Sequence, residues 1–157
     1  MKTEAETLAA LAAYCSQSER CLYDLRRKIR DAGLSSDAEK RIIHRLSDEN
    51  FVDERRFARA FVNDKFRFNR WGRVKITYEL KMRDIKPSIY EEAISGIDEA
   101  EYLSTLRELL IAKQRSIKGS SPEELFAKLI RFATSRGFET PLIISTLKKM
   151  LKNLDYD

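Results

Sequence analysis

Eight basic side chains lie close together in the middle of the sequence and could bind an anionic partner. Only Glu79 and Asp84 oppose them, so eight cations against two carboxylates give this segment a net charge of +6, while the whole chain has +5. Interleaved aromatic residues favour binding to a polyanion or to an acidic protein face. The basic residues are Lys65, Arg67, Arg70, Arg73, Lys75, Lys81, Arg83 and Lys86, and the aromatic residues are Phe66, Phe68, Trp71 and Tyr78.

Arginines are the strongest candidate anchors in this basic segment, because a guanidinium group can donate two parallel hydrogen bonds to a carboxylate or a phosphate. Charge reversal at Arg70 and Arg73 is predicted to weaken partner binding without unfolding the chain. Trp71 could fill the core at a helix junction or act as an exposed anchor. The alternative interpretation is a solvated helix pair whose aromatic rings belong to the core. The predicted anchors are Arg67, Arg70, Arg73 and Arg83.

The sequence offers no set of residues typical of an active site. His44 is the single histidine, and Cys15 and Cys21 are the two cysteines, so a zinc site or a Ser-His-Asp set has too few members. We find no glycine-rich phosphate loop. The sequence therefore predicts a protein that is not an enzyme and needs no cofactor or metal. It also predicts a surface histidine and reduced, structural cysteines.

The composition indicates an all-α protein. The 157 residues include only 5 Gly and 3 Pro, fewer than the turns of a β-sandwich need, while 43% hydrophobic residues suffice for a core. No apolar run reaches the roughly 18 residues of a membrane span. The N-terminus is too acidic for a secretory signal. We predict a cytoplasmic protein without membrane contact.

Capping residues divide the sequence into nine predicted helices. Ser18 is predicted to cap the second helix, over about 19–32. Ser36 and Glu39 have the spacing of a capping box, which predicts a third helix from near Asp37. These helices precede the basic segment.

The basic segment itself is predicted to form two helices joined at Trp71-Gly72. Asp53 is a suitable N-cap for the first of them, which runs from Glu54 to about Asn69. The second runs from about Arg73 to Arg83. The positive charges would then be carried by two consecutive helices and the junction between them.

Three turn residues, Gly33, Asp84 and Gly137, align at separations of 51 and 53 residues, with apolar residues at matching offsets around each. Gly, and Asp more than most residues, tolerate the left-handed backbone that ends many helices. Units of about 50 residues have marginal cores alone, so neighbouring units should stack into an elongated, curved array. We predict three tandem three-helix repeats over residues 1–50, 51–97 and 98–157.

Several motifs resemble those of the RecX family of regulatory proteins. The run NFVDERRFA at 50–58 resembles the signature that follows the family's first repeat, an apolar residue, two acids, a spacer and Arg-Phe-Ala. The run GRVKI from Gly72 resembles the next family block, although Asp84 stands where that block usually has glycine. The likeness extends from about Leu8 to Leu151. The signature residues are Asp53, Glu54, Arg56, Phe57, Ala58 and Gly72.

The resemblance implies a small cytosolic modulator of the RecA recombinase that has no catalytic residues of its own. It implies three-helix repeats that lie in the groove of the RecA–DNA filament and bridge neighbouring protomers. Such a protein inhibits filament extension, ATP hydrolysis, strand exchange and coprotease function, within DNA repair, DNA recombination and the SOS response. We further expect a monomer with weak nonspecific contact to single- or double-stranded DNA.

A helix-turn-helix DNA-binding protein is the main alternative, because each predicted repeat ends in two helices joined by a short turn. A recognition helix reads bases with its N-terminal residues. In the second repeat Glu91 and Glu92 lie in that helix, and their carboxylates would repel DNA. Sequence-specific reading is therefore disfavoured, whereas nonspecific DNA contact stays open. A helical scaffold for another partner is a third interpretation.

Overall fold

The computed structural model describes the backbone of residues 2–154 and the side chains of residues 2–151. Within these residues it contains nine helices and no strand, so the predicted all-α fold is confirmed. No helix in the described range is long and apolar enough to cross a bilayer. The helices are α1 (Glu4–Gln17), α2 (Leu22–Asp31), α3 (Ser36–Asp48), α4 (Glu54–Arg67), α5 (Arg73–Met82), α6 (Pro87–Ser95), α7 (Glu99–Ser116), α8 (Pro122–Ser135) and α9 (Thr140–Leu154).

The three aligned turn residues all adopt left-handed backbone just after a helix. Their φ angles are 81° at Gly33, 55° at Asp84 and 95° at Gly137. In each turn the next residue donates its N–H to the carbonyl five residues earlier, which satisfies a carbonyl of the last helical turn. The N···O distances are 3.5 Å for Leu34–Ile29, 3.1 Å for Ile85–Leu80 and 3.2 Å for Phe138–Ala133. The repeated helix-turn-helix pattern is therefore confirmed, while the repeat boundaries stay a prediction.

One predicted helix start and one predicted capping residue were wrong. Ser18 does not cap α2 but lies in extended backbone directly after α1, with φ −166° and ψ 161°. The helix begins at Leu22, whose N–H donates to Glu54 Oε2 at 3.3 Å, so a distant carboxylate supplies the missing cap. In α3 the N-cap is Ser35, one residue earlier than predicted, because its hydroxyl accepts the Ala38 N–H at 3.2 Å.

The first compact unit contains the chain up to Val62 together with Glu79–Ala93. Apolar residues of α1, α2 and α3 and of the segment after α3 form its core cluster. Cys15 and Cys21 are buried and form no disulfide. Burial raises the pKa of Cys21 to about 12, so this thiol stays protonated at neutral pH. Both cysteines thus have the surroundings expected of structural residues.

The second compact unit contains Asn63–Tyr78 and the chain from Ile94 onward. Helices α7, α8 and α9 pack against one another. Tyr102 lies at the centre of their core, with its ring centroid 5.8 Å from that of Phe66 and 5.1 Å from that of Phe138. Since a fully buried large side chain contributes roughly 1.5–3 kcal/mol, these rings fix the junction between α4 and α5 in the unit.

Candidate partner-binding surface

The predicted anion-binding residues are distributed over both compact units, and none of the eight is buried. Five belong to the second unit and three to the first. The neighbours described below for each group lie within its own unit. The second-unit residues are Lys65, Arg67, Arg70, Arg73 and Lys75, and the first-unit residues are Lys81, Arg83 and Lys86.

Two arginines, one at the end of α4 and one in the turn after it, form loose ion pairs with carboxylates of α7. Arg67 Nη2 lies 3.5 Å from Glu101 Oε2, and Arg70 Nη1 lies 3.5 Å from Glu108 Oε2. All four side chains are well exposed to solvent. Pairs of this kind contribute only about 0–1 kcal/mol, so an incoming partner could displace them at small cost.

Arg73 differs from these two arginines, because its side chain is only 22% exposed and lies in a dense polar network. Its Nη1 donates to Glu139 Oε2 at 2.9 Å, and its Nη2 donates to Glu99. The guanidinium carbon lies 3.8 Å from the centre of the Tyr102 ring. These contacts stabilise the start of α5 within the second unit.

The backbone of Arg73 takes part in the same network. Its N–H donates to the Tyr102 hydroxyl at 2.9 Å, and that hydroxyl in turn donates to Glu139. Burial and the hydrogen bond to Glu139 raise the pKa of Tyr102, so it stays a neutral donor. Burial alone would raise the pKa of Glu139, but hydrogen bonds from Tyr102 and Arg73 outweigh burial and hold this pKa below its usual value.

The lowered pKa of Glu139 predicts how stability depends on pH. Because the folded-state pKa lies below the ordinary value of 4.5, this carboxylate stabilises the fold above that pH. The stabilisation is lost as the pH falls through the folded-state pKa. Urea unfolding between pH 3 and 7 should show a smaller acid loss in Glu139→Gln than in the unmodified protein. Glu91→Gln, at an exposed position of α6, should keep the full acid loss, and an equal loss in both variants would contradict the prediction.

Gly72 gives the junction between α4 and α5 a second fixed contact. Its N–H donates to Arg136 O at 2.8 Å, and the Val74 N–H donates to Gly137 O at 2.9 Å. A Cβ on Gly72 would lie only 2.3 Å from Gly137 O. The two backbones therefore approach so closely that only glycine fits at position 72.

Trp71 is half-buried, between the two predicted alternatives of core residue and exposed anchor. The ammonium groups of Lys65 and Lys75 lie 5.0 and 4.4 Å from its ring centre, which is within the range of cation–π attraction. Both lysines are thus partly ordered by the tryptophan, and their charges remain near the surface.

The three basic residues of the first unit also have neighbours within it. Arg83 Nη1 donates to Glu79 Oε2 at 2.9 Å and its guanidinium lies 5.0 Å from the ring centre of Phe61. Lys81 lies 5.6 Å from the ring centre of Tyr90. Lys86 is exposed. These contacts position the charges without removing them from solvent.

The signature residues around the start of α4 hold that helix in the first unit. Asp53 Oδ1 accepts the N–H groups of Arg55 and Arg56 at 2.9 and 3.1 Å, as an N-cap should. Arg56 Nε donates to Glu19 Oε2 at 3.1 Å and Arg56 Nη2 donates to Asn50 O at 2.9 Å. The signature thus includes residues that cap and tether this helix.

The remaining signature residues of α4 are buried or half-buried. Phe57 and Ala58 are buried in the core. Burial raises the pKa of Glu54, although its hydrogen bond from Leu22 N opposes the rise. Together with Gly72, these residues pack in the core or cap helices. The signature residues therefore stabilise the fold.

His44 is exposed, as predicted. No group of three or more His, Cys, Asp or Glu side chains among the described residues could hold a metal ion. Each unit carries partly exposed cations, and the exposed large apolar side chains occur in the same stretch of sequence.

Some residues that shape this surface gave little sign in the sequence. Glu139 and Glu99 are separated from Arg73 by 66 and 26 residues, so no local spacing links them. Tyr102 fits the apolar stripe of α7, and that pattern does not indicate its hydroxyl bonds. A tyrosine at a core position is the one usable signal, because a buried hydroxyl normally finds a partner.

The fold and the surface together define an all-α protein of repeated helix-turn-helix units with a cationic segment in its middle. Residues 53–94 match the family model described as the second three-helix domain of RecX. A regulatory protein RecX of Chlorobaculum tepidum is 30% identical over 128 residues, which cover 82% of this chain and 78% of that protein. The chain belongs to the RecX family of regulatory proteins.

Solved structures agree on the fold. A crystal structure of regulatory protein RecX superposes with a TM-score of 0.84 at 16% identity, covering 92% of this chain and 73% of the other. RecX from Lactobacillus salivarius superposes with a TM-score of 0.83 at 18% identity, covering 93% and 95%. At such low identity these likenesses support the fold alone.

Proposed function

We propose that this protein is a cytoplasmic, monomeric modulator of a RecA-type recombinase, which binds the recombinase–DNA filament and inhibits its activities. The observation that carries the proposal is the similarity to a RecX regulatory protein over 82% of the chain. The resemblance to this family implies action on RecA, and a protein that acts by occupying a filament surface needs no reacting groups. Inhibition would extend to filament extension, strand exchange and coprotease function.

The charge and exposure of the cationic segment support the proposal, and we assign the contact with the filament to this segment. Its eight basic residues remain at least partly exposed although several have acidic neighbours. Ionic contacts of this kind steer encounter and fix register more than they add net affinity. A filament carries both acidic protein side chains and DNA phosphates, and either could meet these cations.

Titration into a cognate recombinase on single-stranded DNA is the decisive experiment. ATP turnover should fall with increasing protein, and the double variant Arg67→Glu/Arg70→Glu should require a higher concentration for the same loss. The matched control reverses two exposed charges outside the segment, Lys118→Glu/Arg131→Glu, and should inhibit like the unmodified protein. No effect on turnover, combined with tight binding to one duplex sequence, would instead support the helix-turn-helix alternative.

A further inference from the structure

Large hydrophobic side chains that face solvent are confined to one segment of the described chain. Phe68, Val74, Tyr78 and Met82 are the exposed ones among the described residues, and all lie within residues 68–82. Single exposed apolar residues are ordinary on any surface, but their restriction to the basic segment is not. Phe68 stands out, since 81% of it is exposed.

The backbone around Phe68 is held in place by hydrogen bonds. The N–H groups of Phe68 and Asn69 donate to Asp64 O at 2.9 and 3.4 Å, and the Trp71 N–H donates to Lys65 O at 2.9 Å. These bonds close the end of α4, so the ring projects from an ordered turn. An aromatic ring on an ordered backbone loses little conformational freedom when it binds.

Arg70 holds this turn in a backbone conformation that is uncommon for its residue type. Its φ of 56° places it in the left-handed region, which disfavours residues that carry a side chain. Of the non-glycine residues described with positive φ, the other two are Asn50 and Asp84, residue types that tolerate this conformation. Strained backbone of this kind is concentrated at functional sites.

Side chains of both charges lie in the second unit beside this turn. Arg67 and Arg70 flank Phe68 in sequence, and their loose ion pairs bring Glu101 and Glu108 to the same part of the second unit. We name Phe68, Arg67, Arg70, Glu101 and Glu108 the Phe68 surface. Phosphate groups drawn to the two arginines would also meet the two carboxylates, whereas a protein can place a charge of the correct sign opposite each.

We infer that Phe68 is the apolar anchor of a protein–protein contact and inserts into an apolar pocket whose rim carries both acidic and basic side chains. Binding hot spots are enriched in aromatic residues and arginines, and Phe68 with its neighbouring arginines has this composition. The inference rests on the proposed function and narrows the partner to the protein surface of the recombinase filament, with the DNA excluded from this contact.

The test compares binding of Phe68→Ala to recombinase-coated single-stranded DNA and to the same DNA without recombinase. Affinity for the coated DNA should fall by at least about 30-fold, as expected when a hot-spot residue is truncated. Binding to bare DNA should not change. Arg131→Ala, which shortens an exposed side chain outside the segment, should behave like the unmodified protein on both substrates.

Several outcomes would overturn the inference. If Phe68→Ala binds coated DNA as the unmodified protein does, Phe68 is not an anchor, although the proposed function survives. If the affinity of Phe68→Ala for bare DNA falls by the same factor, the ring stacks on bases. If the unmodified protein neither binds nor inhibits the recombinase, the proposed function and the inference both fail. Thermal unfolding of Phe68→Ala should match the unmodified protein, because the ring is exposed.

Discussion

Replacing Gly137 by alanine is expected to lower the free energy of unfolding by about 3 kcal/mol or more. Its φ of 95° is left-handed, which costs a residue with a Cβ about 1–2 kcal/mol. The new Cβ would also lie 2.3 Å from Lys75 Cβ and 2.7 Å from Lys75 N, and such overpacking costs about 1–3 kcal/mol. Thermal unfolding should therefore shift down by roughly 6–12 °C.

Gly119→Ala provides a matched control, because this glycine also has a left-handed φ, of 74°, but a Cβ added to it would meet no heavy atom within 4 Å. Only the backbone strain of about 1–2 kcal/mol is expected there, without the overpacking. Gly72→Ala should resemble Gly137→Ala, since its Cβ would meet the backbone of Gly137. Equal losses in Gly119→Ala and Gly137→Ala would mean that the close backbone approach is absent in solution.

The helix ends that could be predicted are those with local causes. Asp53 accepts the backbone N–H of Arg56 three residues further along the chain, and the sequence shows both partners of such a bond. Gly33 and Gly137 end helices because their own backbone can adopt a left-handed φ. Nothing beyond a few neighbouring residues decides these positions, so the residue types were sufficient.

The start of α2 shows why other positions could not be predicted. Ser18 is a good cap in isolation, but α1 continues to Gln17 and Ser18 then lies in extended backbone. The N–H of Leu22 is satisfied by Glu54, 32 residues away. A cap supplied through tertiary packing leaves no pattern in the local sequence, and it overrides the local preference.

The same limit applies to the candidate surface. Composition identified the basic segment and its exposed cations, because charge is a property of each residue. It did not separate Arg70 from Arg73, which look equivalent in sequence. The difference arises from Glu99, Tyr102 and Glu139, which only the packing of α5 in the second unit brings to Arg73.

Charge reversal should separate these two arginines, so the prediction from the sequence that neither reversal destabilises the fold is kept for Arg70 and revised for Arg73. Arg73→Glu would place a third carboxylate beside Glu99 and Glu139 in a site where the side chain is only 22% exposed. The expected loss is about 2–4 kcal/mol, somewhat below that for breaking a fully buried pair. Arg70→Glu removes one loose surface pair with Glu108 and should change the free energy of unfolding by less than about 1 kcal/mol. Urea unfolding of both variants measures the difference.

A charge swap tests whether the Arg73 loss comes from its network. Arg73→Glu/Glu139→Arg restores one pair of opposite charges, so it should recover part of the lost stability, although the Tyr102 hydroxyl then loses its acceptor. Arg70→Glu should instead weaken inhibition of the recombinase while unfolding normally. If Arg73→Glu unfolds like the unmodified protein and yet inhibits poorly, Arg73 contacts the partner directly. The ion pairs of Arg73 with Glu99 and Glu139 would then add as little to stability as the pair of Arg70 with Glu108. A residue whose ion pairs stabilise the fold cannot lose them without lowering the free energy of unfolding.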